Sequence, residues 1–163
     1  MRNHKLQEDP VESRTIEREI YVEASPEIVF EVVSSPEHLR QWWPDDARYE
    51  PTPGSAGEIV FGDRDTGGTV VGFTVVDAQP PWTFSFRWTH PADEVAAVGN
   101  SLLVTFDLQP SGRGTLLTMT ETGFREMGWE AAVLEQQYRE HGSGWDFYLP
   151  RLAPYAASLA MQP

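Results

Sequence analysis

WEAAVLEQQYREHGSGWDFYLPRLAPYAASL, residues Trp129 to Leu159, decides how the rest of this chain is read. Within it, apolar residues recur at Leu134, Tyr138, Trp145, Tyr148, Leu149, Leu152, Ala156 and Leu159. Steps of three, four and seven place them on one stripe of a helix. A helix with one apolar face needs a surface to lie on, and the chain upstream reads as short alternating strands whose apolar face needs a cover. The expected fold is α+β, a curved antiparallel sheet wrapped around one long C-terminal helix. Pro150 and Pro154 each remove a backbone donor from that helix. They lie four apart and off the Trp145–Leu149–Leu152 stripe, so a bend convex to solvent is expected, with a break at Leu149 into two helices as the alternative.

Working back from the helix, Thr115 to Thr122 alternates and brings Leu117, Met119 and Glu121 to one face. Leu102, Val104, Phe106 and Leu108 do the same after a loop at 91–99. The clearest alternation runs from Trp82 to His90, with Trp82, Phe84, Phe86 and Trp88 inward and Thr83, Ser85, Arg87 and Thr89 outward. Thr69 to Val76 and Glu58 to Phe61 read as a hairpin closed by the turn at 63–68. Near the start, Ile16, Ile20 and Val22 share one parity of a half-exposed strand. Ser25-Pro26-Glu27 and Ser35-Pro36-Glu37 each carry a helix start: a cap, a proline at the first position and an acid in the first turn. The second short helix is expected to stop before Pro44. Residues 1–13 read as a flexible N-terminal segment and 14–160 as a single domain.

Composition narrows the function classes. The 163 residues carry 25 acids against 12 Lys and Arg, a formal charge of −13. Nucleic acid and anionic membrane both reward clustered cations, so neither is an expected partner. With no cysteine, disulfides, thiolate zinc sites and cysteine nucleophiles are excluded. The N-terminal stretch lacks the apolar core of a signal peptide, and no run approaches the ~18 apolar residues of a membrane span. A cytoplasmic location is the expectation.

The ordered segments together resemble a known family. "IYVEASPEIVFEVVSSPEHLRQWWP" resembles the opening strand, helix pair and tryptophan pair of the activator of heat-shock-protein-90 ATPase homologue family. "TFSFRW" resembles its central aromatic strand, "GTLLTMTETGF" its last strand, and "HGSGW" with "LPRLAPY" its final helix. That family lies within the START-like, SRPBCC superfamily. The resemblance spans about Ile16 to Ala160 and implies a helix-grip fold with a cavity between sheet and helix. The superfamily includes co-chaperone-like proteins, lipid carriers and cyclases, so fold alone names no chemistry.

Candidate site residues follow from parity. The rings Trp82, Phe84, Phe86 and Trp88 either floor a ligand cavity or fill the core. One of Trp42 and Trp43 is expected to plug the core, the other to form a pocket lip or a partner contact. Trp145 and Tyr148 offer an indole and a hydroxyl from the helix. Glu121 faces inward by parity, where a carboxylate is costly unless paired or hydrogen-bonded. It is a pocket acid, a rim residue in water, or a partner of Arg40 or Arg87. The ligand-lining set is Trp43, Phe61, Phe73, Phe84, Phe86, Trp88, Met119, Glu121, Trp145 and Tyr148, with a small apolar or aromatic molecule as occupant. No catalytic residue, metal ligand or cofactor is assigned. His4, His38, His90 and His141 show no metal-ligand spacing, "DRDTGG" lacks the acid a calcium loop needs, and no phosphate-binding glycine motif occurs. The ranked functions are ligand binding, then a co-chaperone-like interaction with a chaperone partner. Last comes a cyclase- or hydrolase-like enzyme using Glu121, or His90 with Arg87.

Overall fold

Capping chemistry and alternation explain the elements in order. The computed structural model describes residues 14–162, so the N-terminal segment 1–13 lies outside the described residues. Strand β1 (Ile16–Val22) buries its two ends, and α1 (Pro26–Ser34) follows with Ser25 Oγ accepting the Ile28 N–H at 3.3 Å. Helix α2 (Pro36–Trp42) starts on its proline and ends at Trp43, because Pro44 disfavours a further helical residue. Strands β2 (Asp46–Arg48), β3 (Ala56–Phe61), β4 (Thr69–Gln79), β5 (Thr83–Trp88), β6 (Leu102–Ser111) and β7 (Gly114–Thr122) lead to α3 (Ala131–Ala160). The three-residue β2 is too short to leave an alternation signal.

The strands form one seven-stranded antiparallel sheet in the order β1-β7-β6-β5-β4-β3-β2. Neighbours are consecutive hairpins except that β1 closes against β7, which brings the first strand beside the last. A register shift between Val75 and Asp77 keeps β4 paired with β5 beyond the expected end at Val76. Gly72 in β4 is a packing requirement: a Cβ there would sit 2.4 Å from the His90 ring.

Helix α3 runs unbroken through both prolines, whose side chains are exposed. The carbonyls of Asp146 and Pro150, which lose their helical donors to the two prolines, belong to exposed residues where water can serve them, so neither proline forces a break. The opposite face buries Gly142, Trp145, Leu149, Leu152 and Ala156.

One expectation from the alternation needs correcting. Phe84, Phe86 and Trp88 face inward and are buried, but Trp82 is 48% exposed. Its N–H closes a turn onto Gln79 O at 2.7 Å, and β5 begins only at Thr83, so the strand period never includes it. On the outward parity Ser85 is also buried, whereas Arg87 is half-buried and donates to Ser101 O at 3.3 Å.

Candidate functional site

Glu121 ends the inward series Leu117, Met119, Glu121 on β7, where register sets it between Ile16 of β1 and Val104 of β6. Its side chain is wholly inaccessible to solvent. A bare carboxylate at such a place would be expensive, and three donors meet it. Trp88 Nε1 donates to Oε2 at 2.7 Å, and Trp145 Nε1 donates to Oε1 at 2.8 Å. His141 Nδ1 lies 3.0 Å from Oε1 and 3.1 Å from Oε2. Hydrogen bonds to an ionised acceptor are the strong ones, which offsets the desolvation. Trp88 comes from the end of β5, while His141 and Trp145 stand four apart on one face of α3. The rim position in water and the partners Arg40 and Arg87 are thereby corrected. Arg40 reaches Ala47 O and Arg87 reaches Ser101, both away from Glu121.

Around this carboxylate the rings converge on Trp43. Its ring centroid lies 4.9 Å from Trp88, 5.0 Å from Trp145, 5.7 Å from Phe86 and 6.0 Å from Phe61. Beside them is a cavity of about 240 Å³ lined by Trp43, Phe61, Trp88, Glu140, His141, Gly144, Trp145 and Tyr148. Gly144 contributes to the opening, since a Cβ there would meet nothing within 4 Å. The tryptophan pair divides its work. Trp42 is fully buried with its indole N–H on Val32 O at 3.0 Å, and Trp43 forms cavity wall.

Of the ten candidate lining residues, Trp43, Phe61, Trp88, Trp145 and Tyr148 border the cavity. Phe73, Phe84, Phe86, Met119 and Glu121 are fully buried behind that wall. Phe86 stacks on Phe73 at 4.2 Å, and Phe73 stacks on Tyr49 at 4.3 Å, so these rings occupy the space beneath. Burial pushes the Tyr49 hydroxyl far above the usual phenol range, and it donates to Ser34 O at 2.6 Å.

Residues 23–157 match the family described as Activator of Hsp90 ATPase homolog 1-like protein. The chain belongs to that family. Every residue of the Glu121 cluster and of the cavity wall falls inside the matched span. Among solved structures, a protein from Nitrosomonas europaea aligns with a TM-score of 0.71 at 16% identity, covering 89% of this chain and 95% of that one. A protein from Mesorhizobium loti aligns at 0.67 with 22% identity, covering 86% and 95%. The Aha1 dimer from Colwellia psychrerythraea aligns at 0.65 with 20% identity, covering 90% and 96%. At these identities the likeness is one of fold. No functionally curated protein matches the chain.

Within this family fold, sequence reasoning passed over His141, because it was weighed only as a metal ligand. Its position carried a signal: Tyr138, His141, Trp145 and Tyr148 follow each other at steps of three and four. A histidine on an apolar stripe needs a polar partner across the interface. The His90–Arg87 alternative does not join the site. His90 is buried beyond β5, Arg87 is turned to the outer face, and burial chiefly lowers the His90 pKa below its ordinary value.

Proposed function

We propose that this family member is a small-molecule-binding protein whose ligand rests in the cavity under the first half of α3. The observation that carries this reading is the cavity itself, walled by five aromatic rings beside a buried carboxylate whose oxygens are already engaged. The space opens to solvent beside Gly144, so an occupant can enter from the surface. Aromatic walls with a few placed polar groups are the usual composition of a ligand pocket. Glu121 holds the wall in position through Trp88, Trp145 and His141. A proton-abstracting role for Glu121 ranks lower, since three donors occupy its oxygens.

A chaperone partner is the second reading, and it draws on the family description. The exposed rings available to such a partner, Tyr21, Trp82 and Phe147, stand on three different parts of the chain. The cavity is the more specific feature.

Titration with the small neutral fluorophore 1-naphthylamine tests the first reading. Wild-type protein is expected to give saturable enhancement, and Gly144→Leu, which places a side chain into the opening, to abolish it with an unchanged thermal transition. Undiminished binding by Gly144→Leu, or none by wild type, would overturn the assignment.

A further inference from the structure

We infer that the cavity selects a cation, holding a compact alkylated ammonium group; this rests on the cavity being a ligand site. Among the described residues its lining includes no Lys or Arg. The two indole N–H groups of Trp88 and Trp145 point to Glu121, so these rings present hydrocarbon and π surface to an occupant. A neutral polar ligand finds few partners on such a wall. An alkylated ammonium suits it, being apolar on its methyl surface yet attracted to the negative face of indole, the strongest of the aromatic acceptors.

The charge placement works in the same direction. An indole N–H bonded to a carboxylate is polarised so that its ring becomes more electron-rich. Here one carboxylate does this to two rings, from a position wholly out of water. Glu121 stands behind the wall, with His141 Nδ1 within hydrogen-bond distance of both its oxygens. Glu140 adds a second acid among the lining residues. Arg151 is exposed and lies over the Tyr148 ring at 5.7 Å, and it does not border the cavity. Over longer range, the chain's charge of −13 favours the approach of cations.

Size restricts what enters. At about 240 Å³ the space falls below the roughly 300–1,000 Å³ of pockets that swallow a drug-sized ligand. It therefore takes a head group, with the rest of the molecule leaving past Gly144.

The decisive pair of probes is choline and 3,3-dimethylbutan-1-ol, in which carbon replaces the charged nitrogen at nearly constant shape. Each is titrated against the wild-type protein by indole fluorescence at matched ionic strength. Choline is expected to bind tighter than the alcohol by about tenfold or more. In Glu121→Gln the preference should fall towards unity. Equal or tighter binding of the alcohol, or no binding of choline, would overturn the inference in the wild-type protein alone, whatever the variant's stability. An unchanged preference in a folded Glu121→Gln would remove Glu121 as the source of selectivity. The neutral naphthylamine separates the two levels: if it binds while choline does not, the cavity stands as a ligand site and only its charge selectivity is wrong.

Discussion

The turns of α3 from Tyr138 to Tyr148 and those from Leu149 to Leu159 follow one stripe into the core, yet they meet it differently. In the later turns, Leu149, Leu152 and Ala156 are buried as hydrocarbon. The polar contact there sits at the margin, where His38 and the Tyr155 hydroxyl lie 2.6 Å apart. In the earlier turns three of the rings that reach inward carry a polar tie: Tyr138 to Thr15 O, and His141 and Trp145 to Glu121. That end also holds the cavity. Dry packing gives the helix its anchorage, and the hydrogen-bonded end keeps large rings in defined places without filling the space between them. A ring held by a directional bond can border a void, whereas an aliphatic chain held only by contact tends to close one.

The largest expected effect tests the dry end. Leu152→Ala should cost about 2–5 kcal/mol, the transfer term plus the cavity left behind, read as a lower urea midpoint at constant slope. A loss well under 1 kcal/mol would mean that this half is not close-packed, and the comparison would fail.

A smaller loss is expected at the polar end. In Glu121→Gln the amide oxygen can accept from one indole, and the amide nitrogen cannot accept from the other. One buried indole N–H is left without its acceptor, at a cost of about 1–3 kcal/mol. No change in midpoint would mean that the cluster adjusts freely and does not hold the rings.

His90 sharpens the contrast between a satisfied and an unsatisfied buried polar group, and its effect is confined to acid pH. Its Nδ1 is buried without a hydrogen-bond partner, unlike the oxygens of Glu121. Burial lowers its pKa; Arg87 adds to that and Glu94 opposes it. The unfolded chain therefore binds the proton more tightly than the folded one. Stability should fall as pH drops through the unfolded value of about 6.5, and level off below the folded value. His90→Gln should flatten that limb in melting curves taken from neutral to acid pH. A wild-type curve with the same limb as the variant would show that His90 does not titrate with a lowered pKa.

Much of this architecture was legible from short-range pattern. Ser25-Pro26 and Ser35-Pro36 located both early helices, and alternation placed Phe84, Phe86, Trp88 and Glu121 on the inner face. The positions of Pro150 and Pro154 off the apolar stripe favoured a bend over a break at Leu149, and the helix is continuous. These features depend on residues a few positions apart, whose relative directions the backbone geometry of a helix or strand sets. Trp82 marks the limit of that reasoning, since a turn to Gln79, and not the alternation, decides where the strand begins.

The identity of Glu121's partners was decided by tertiary structure. Parity said that Glu121 faces inward, but His141, Trp145 and Trp88 are separated from it by 20, 24 and 33 positions. Which of them reach it depends on how far α3 is shifted along the sheet and on the register of β5, β6 and β7. Periodicity gives the same stripe for every such shift. The same holds for the cavity: five of the ten candidate residues border it and five lie behind it, though parity treats them alike. Whether a ring fills a space or walls one depends on what the opposite element places against it. Here that element is α3, with a glycine at position 144 where a side chain would have filled the gap.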